Sequence, residues 1–131
     1  MPSPSPTELA AIPLFASLDD AELTELATRF EAKDVDSGVR LVGEGTTGRT
    51  FFVLARGEAS VTVDGGQIAM LEANEFFGEL ALLGHGRRTA TVTTTTSARV
   101  LVLFGADFDE LRAAHPELAC EIDATTARRL G

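Results

Sequence analysis

The chain is poor in the residues that metal centres, disulfides and nucleophilic catalysis draw on. Cys120 is the only cysteine among 131 residues, so no intramolecular disulfide can form, which fits a reducing compartment. The two histidines, His85 and His115, have no further ligands at suitable spacing, so neither a metal site nor histidine catalysis is expected. No histidine lies at helical spacing from Cys120, which is therefore expected as a small packing residue and not as a nucleophile. No apolar run approaches the roughly 20 residues of a membrane-spanning helix. Met1 to Thr7 has neither the basic region nor the apolar stretch of an export signal, and the expected location is the cytoplasm. Positive charge is scarce as well: 11 basic residues stand against 20 acidic ones, a net charge of −9, which repels nucleic acid over most of the surface. A small anionic ligand stays compatible with that field if a few donors and one or two basic groups are sheltered from it.

What is present suffices for one domain. Hydrophobic residues make up 44% and charged residues 24%, a globular balance over a length typical of a single core. The opening Pro2-Ser3-Pro4-Ser5-Pro6 predicts a loose extended arm over residues 1–11, because proline removes backbone donors. Ser17 reads as an N-cap, followed by the first-turn acids Asp19 and Asp20. Leu23, Leu26, Ala27 and Phe30 recur at helical spacing, so a helix is expected over about residues 18–29, within a helical part spanning 12–30.

Residues 31–104 change to short β-rich runs punctuated by glycine. These are Leu41–Val42, Phe51–Ala55, Ala59–Val63, Ile68–Leu71, Ala90–Thr95 and Arg99–Phe104. Asp64-Gly65 is a hairpin signal. Asp107–His115 and Glu117–Arg129 read as two terminal helices separated by Pro116, within a C-terminal part spanning 105–131. The fold expected is mainly β with flanking α, an antiparallel β-barrel or jelly roll with an N-terminal helix and two C-terminal helices.

One stretch, Phe77-Gly78-Glu79-Leu80-Ala81-Leu82-Leu83-Gly84-His85-Gly86-Arg87-Arg88-Thr89-Ala90, reads as an anion cradle. Gly78 lets backbone approach a ligand closely. Glu79 to Leu83 are good helix formers, and one helical turn there would aim the N–H groups of Leu80 and Ala81 at a phosphate. Arg88 can return to the same spot and grip phosphate oxygens. Glu79 would repel a phosphate, but it suits a hydroxyl donor such as a ribose 2′-OH. Arg87 and Arg88 face opposite sides if that segment is extended, so one of them is left in solvent.

The stretch resembles the phosphate-binding cassette, here residues 77–90, of the cyclic-nucleotide-binding domain family, and the likeness extends over residues 12–131. The resemblance implies that Glu79 binds the ribose and Arg88 the cyclic phosphate of cAMP or cGMP, with Gly78 and the backbone of Leu80 and Ala81 assisting. It also implies that Val61 and Ile68 line the base pocket, and that Gly38, Gly45, Gly48 and Gly57 are turn glycines. Relatives often carry glycine where Asn74 stands, and asparagine tolerates the same left-handed backbone. Relatives that stack an aromatic on the base do so from the last helix. This chain has none after Phe108, which makes Leu118 and Ile122 the aliphatic lid candidates.

The resemblance also implies that Thr89 could accept a hydrogen bond from a guanine amino group, although it reads equally as an ordinary strand residue. Thr93 to Thr96 read as strand and turn with hydroxyls outward. The function implied is a cyclic-nucleotide sensor with no cofactor and no catalysis of its own, whose output lies in a protein partner or another domain. Three rivals are a ligand-free barrel used as an interaction module, a truncated DNA-binding regulator of the same family, and a metal-binding enzyme of the cupin type, which would need several histidines on neighbouring strands that this sequence lacks.

Overall fold

The computed structural model describes residues 3–43, 50–78 and 90–130, apart from the side chains of Arg129 and Leu130. Helix α1 (Pro6–Ala10) and a 3-10 turn (Pro13–Phe15) precede helix α2 (Asp20–Ala27). Strands follow at β1 (Glu31–Val35), β2 (Arg40–Val42), β3 (Thr50–Arg56), β4 (Ala59–Val63), β5 (Gly66–Leu71), β6 (Phe76–Phe77), β7 (Thr91–Thr94) and β8 (Ala98–Phe104). Helices α3 (Gly105–Ala114) and α4 (Pro116–Leu130) come last. The strands form two four-stranded sheets, β1-β8-β3-β6 and β2-β7-β4-β5, and every pairing is antiparallel. This is the jelly roll expected, with helices at both ends.

The layers follow from alternation along the central strands. On β8, Leu101 and Leu103 point into a core shared with the helices, whereas Val100 and Val102 point between the sheets. On β3, Phe51 and Val53 take the first side and Phe52 and Leu54 the second. A strand covered on both faces reads as a continuous apolar run, which is why β3 and β8 stand out in the sequence. Strand β1 does not stand out. Three of its five residues, Glu31, Lys33 and Asp34, are charged, and only Ala32 is buried. Its place is set by pairing with β8, and its charges suit an exposed edge.

The N-terminal arm is shorter than expected, because residues 6–10 are helical. Ser5 accepts a hydrogen bond from the Glu8 backbone and Pro6 occupies the first turn, where its missing N–H costs nothing. Leu9 is fully buried in the helical core. The cap of α2 is Asp19 and not Ser17: Asp19 and Glu22 bond each other's backbone N–H in a capping box, two donors satisfied at once.

Asp64 and Gly65 both have positive φ, 52° and 81°, as a two-residue hairpin turn requires. The Thr93–Thr96 reading needs correction: the Thr94 hydroxyl is buried, donates to the Asp36 carbonyl at 2.7 Å and accepts from the Val39 N–H at 2.9 Å. Cys120 is exposed and is not a packing residue.

Candidate functional site

The candidate cassette is flanked by strands of different sheets. Its described entry is β6, the edge of one sheet, and its described exit is β7, an interior strand of the other. Glu79, Leu80, Ala81, Arg88 and Thr89 lie outside the described residues, as do Gly45, Gly48 and His85.

The entry is defined sharply. Phe76 pairs with Val53 and Phe77 with Phe52. The two phenylalanines point to opposite sides, Phe76 into the helical core and Phe77 into the barrel interior. Gly78 follows with φ 90°, a left-handed conformation that a side chain would strain. The turn feeding β6 runs from Glu72 to Glu75, closed by the Glu75 N–H donating to the Glu72 carbonyl at 3.2 Å. Asn74 supplies its positive φ of 77°, so asparagine does serve where relatives often carry glycine.

The exit lies against the other sheet. In β7, Thr91 stands opposite Thr62 and Val92 opposite Val61. One row across this sheet reads Val42, Val92, Val61, Ala69. Val92 is buried and packs in the barrel interior, with Val42 and Val61 half-buried against it. Ala69 at the end of the row is exposed, so the apolar interior opens towards β5.

Ile68 sits beside that opening. The β4–β5 register shifts between Val61 and Thr62, which pair with Ala69 and Gln67, so Ile68 is the extra residue of a bulge. It is 65% exposed. Val61 thus stands beside the exit strand, and Ile68 lies on the neighbouring strand β5.

Leu118 and Ile122 are elsewhere. They are 1% and 0% exposed and pack in the helical core with Leu9, Phe15 and Phe108. Together with Thr126 they form the buried stripe of α4 at i, i+4, i+8, and the Thr126 hydroxyl donates to the Ile122 carbonyl at 2.9 Å. In this structure they anchor α4 and do not cover that opening. Three buried positions on one face also mean that α4 is not the weakly anchored helix expected of a free lid.

Ion pairs tie the helices together. Arg29 meets Asp107, Glu25 and Glu110, and its guanidinium pKa is raised, chiefly by Asp107. Among the described residues no group of three metal-ligating side chains occurs, and no helix is long and apolar enough to cross a membrane.

The family's sequence profile, the cyclic nucleotide-binding domain, matches residues 32–115. The chain belongs to that family. The cyclic nucleotide-binding domain is a non-catalytic one, and the relatives include ion channels and a regulatory subunit of a protein kinase. A cyclic nucleotide-gated potassium channel of Rhizobium etli is 33% identical over 123 residues, 94% of this chain and 34% of the channel. A cAMP-dependent protein kinase regulatory subunit of Eremothecium gossypii is 34% identical over 120 residues, 91% of this chain and 26% of that protein. The chain therefore spans about a third or less of these relatives.

Solved structures agree with the fold. The cAMP-bound PfPKA-R superposes with a TM-score of 0.82 at 26% identity, covering 95% of this chain and 44% of that one. The Thermus thermophilus catabolite activator protein gives 0.77 at 28% identity, covering 90% and 58%.

Proposed function

We propose that this cyclic nucleotide-binding domain is a working cAMP sensor that also accepts cGMP, passes its signal to a protein partner or output domain, and carries out no chemistry on the ligand. The observation that carries the reading is the combination of an intact Gly78-Glu79 and Arg88 pattern with family membership and a positive-φ Gly78 directly after β6. Arg88 would grip the cyclic phosphate, helped by the N–H groups of Leu80 and Ala81. Glu79 would accept from the ribose 2′-hydroxyl. Val61 and Ile68 would contact the base, with an exposed apolar side chain losing water on binding. Thr89 can offer guanine one neutral hydrogen bond, so the preference between bases should be modest. A single cysteine fits a reducing, cytoplasmic setting.

Calorimetry with cAMP and with cGMP tests this directly. Saturable binding of both, with cAMP somewhat tighter, is the expected result. No heat with either nucleotide, from a folded sample, would leave the barrel as an interaction module. A strong preference for cGMP would overturn the account of the base.

A further inference from the structure

The described boundary of the cassette is a short edge strand. Strand β6 has only two residues, which pair as Phe77 with Phe52 and Phe76 with Val53. Just before it, Leu54 donates to the Glu75 carbonyl at 2.8 Å and accepts from the Asn74 N–H at 2.6 Å, so these backbone bonds gather at the start of β6, and the side chain of Phe77 is what bears on the step to Gly78.

Side chains add to these backbone bonds. Phe52 and Phe77 lie opposite each other, with ring centroids 4.8 Å apart and planes only 6° from parallel. Phe77 is buried at 4% exposure among Leu54, Val92, Val100 and Val102. The ring pair thus locks the residue that immediately precedes Gly78. Phe52 differs from its neighbours on this inner face: Leu54, Val100 and Val102 are buried, whereas Phe52 is half-buried.

We propose that Phe52 is a positioning residue for Gly78, acting through its ring stack with Phe77. The inference rests on the sensor reading for its consequence in binding, although the positioning itself is independent of any ligand. A leucine at 52 keeps an apolar side chain but removes the ring face. Phe77 then regains rotational freedom, and the left-handed step at Gly78 is no longer aimed from a fixed base. A tyrosine keeps the stack.

The test uses the full chain and Phe52→Leu, Phe52→Tyr and Leu9→Ala, the last a control in the helical core. Amide exchange of the ligand-free proteins is measured at Gly78, together with the dissociation constant for cAMP. Phe52→Leu should speed exchange at Gly78 by about threefold or more and weaken cAMP by roughly three- to tenfold, the span expected when an aromatic pair is lost. Phe52→Tyr should stay within about twofold of wild type, and Leu9→Ala should lower thermal stability without moving either readout. Unchanged exchange at Gly78 in Phe52→Leu would overturn the proposal, and so would equal effects of Phe52→Leu and Leu9→Ala. Wild-type protein that binds neither nucleotide would sink the sensor reading alone, because the exchange measurement still decides the role of Phe52.

Discussion

The guanidinium of Arg99 closes as a fork on Glu8, with Nε to Oε2 at 2.5 Å and Nη2 to Oε1 at 3.0 Å. It joins α1 to the central strand β8, and both side chains are mostly covered, at 22% and 25% exposure. The arginine pKa is raised above its usual value, first by the hydrogen bond to Glu8. A raised folded-state pKa means this stabilisation is complete below the ordinary arginine range and is lost only at still higher pH, so base has no effect on it in the working range. Glu8→Gln should cost about 1 to 2 kcal/mol in urea unfolding, as a two-pronged charged contact is stronger than an exposed pair. A double-mutant cycle with Arg99→Leu reads the coupling, and a value near zero would reduce the fork to decoration.

Gly57 is held where no side chain fits. Its φ is +96°, and a Cβ there would lie 2.6 Å from the Ser97 carbonyl oxygen and 2.9 Å from Ala98 Cα. Gly65 also has positive φ, +81°, but nothing lies within 4 Å of its Cβ position. Gly65→Ala should therefore cost about 1 to 2 kcal/mol from backbone strain alone. Gly57→Ala should exceed it by at least about 1 kcal/mol, since the clash is with backbone. Equal melting temperatures for the two variants would contradict that ordering.

Thr94 clasps the turn between β1 and β2. Besides its two hydroxyl bonds, its carbonyl accepts from Gly38 at 2.7 Å and its N–H donates to the Val39 carbonyl at 2.9 Å. Thr94→Val has nearly the same shape and leaves the Asp36 carbonyl and Val39 N–H without the hydroxyl, at a cost of about 2 to 3 kcal/mol. Thr94→Ser keeps the hydroxyl and should lose about 1 kcal/mol for one methyl. Chemical denaturation separates them, and a valine variant as stable as the serine one would show that the hydroxyl is dispensable.

Ile122 carries the docking of α4. Ile122→Ala should destabilise the chain by about 2 to 5 kcal/mol, the range for a buried aliphatic side chain removed from a packed core. A loss under about 1 kcal/mol would mean that α4 rests only loosely on the core, as a free lid would.

Arg88→Ala should weaken cAMP by roughly 2 to 5 kcal/mol, about 30-fold to several thousand-fold, because the phosphate loses a charge-assisted partner in a sheltered spot. Arg87→Ala should do far less. Competition binding with both variants decides between them, and equal losses would mean that Arg88 is not the gripping residue.

Much of the architecture was legible before any coordinates, for reasons that are local. Strands β3 and β8 declare themselves because burial on both faces demands unbroken apolar runs. The 64–65 hairpin declares itself because two adjacent residues must take positive φ, and Asp-Gly does so cheaply. The cassette is visible as a pattern for a related reason: glycine, acid and arginine at that spacing match a ligand chemistry and a family. Asn74 likewise could be read in advance, since its tolerance of the left-handed region is a property of the residue itself.

Other features depend on what a residue meets far along the chain, and only the tertiary structure decided them. Glu31-Ala32-Lys33-Asp34-Val35 has no strand pattern and becomes β1 because β8 offers it hydrogen bonds. Thr94 looks like its threonine neighbours, yet its hydroxyl turns inward because the 36–39 turn brings an unpaired carbonyl and N–H to it. Leu118 and Ile122 have spacing that suits a lid and a core stripe equally. The choice fell to the apolar surface of Leu9, Phe15 and Phe108 waiting beside them, because burial against a partner, and not spacing, sets where an amphipathic face goes.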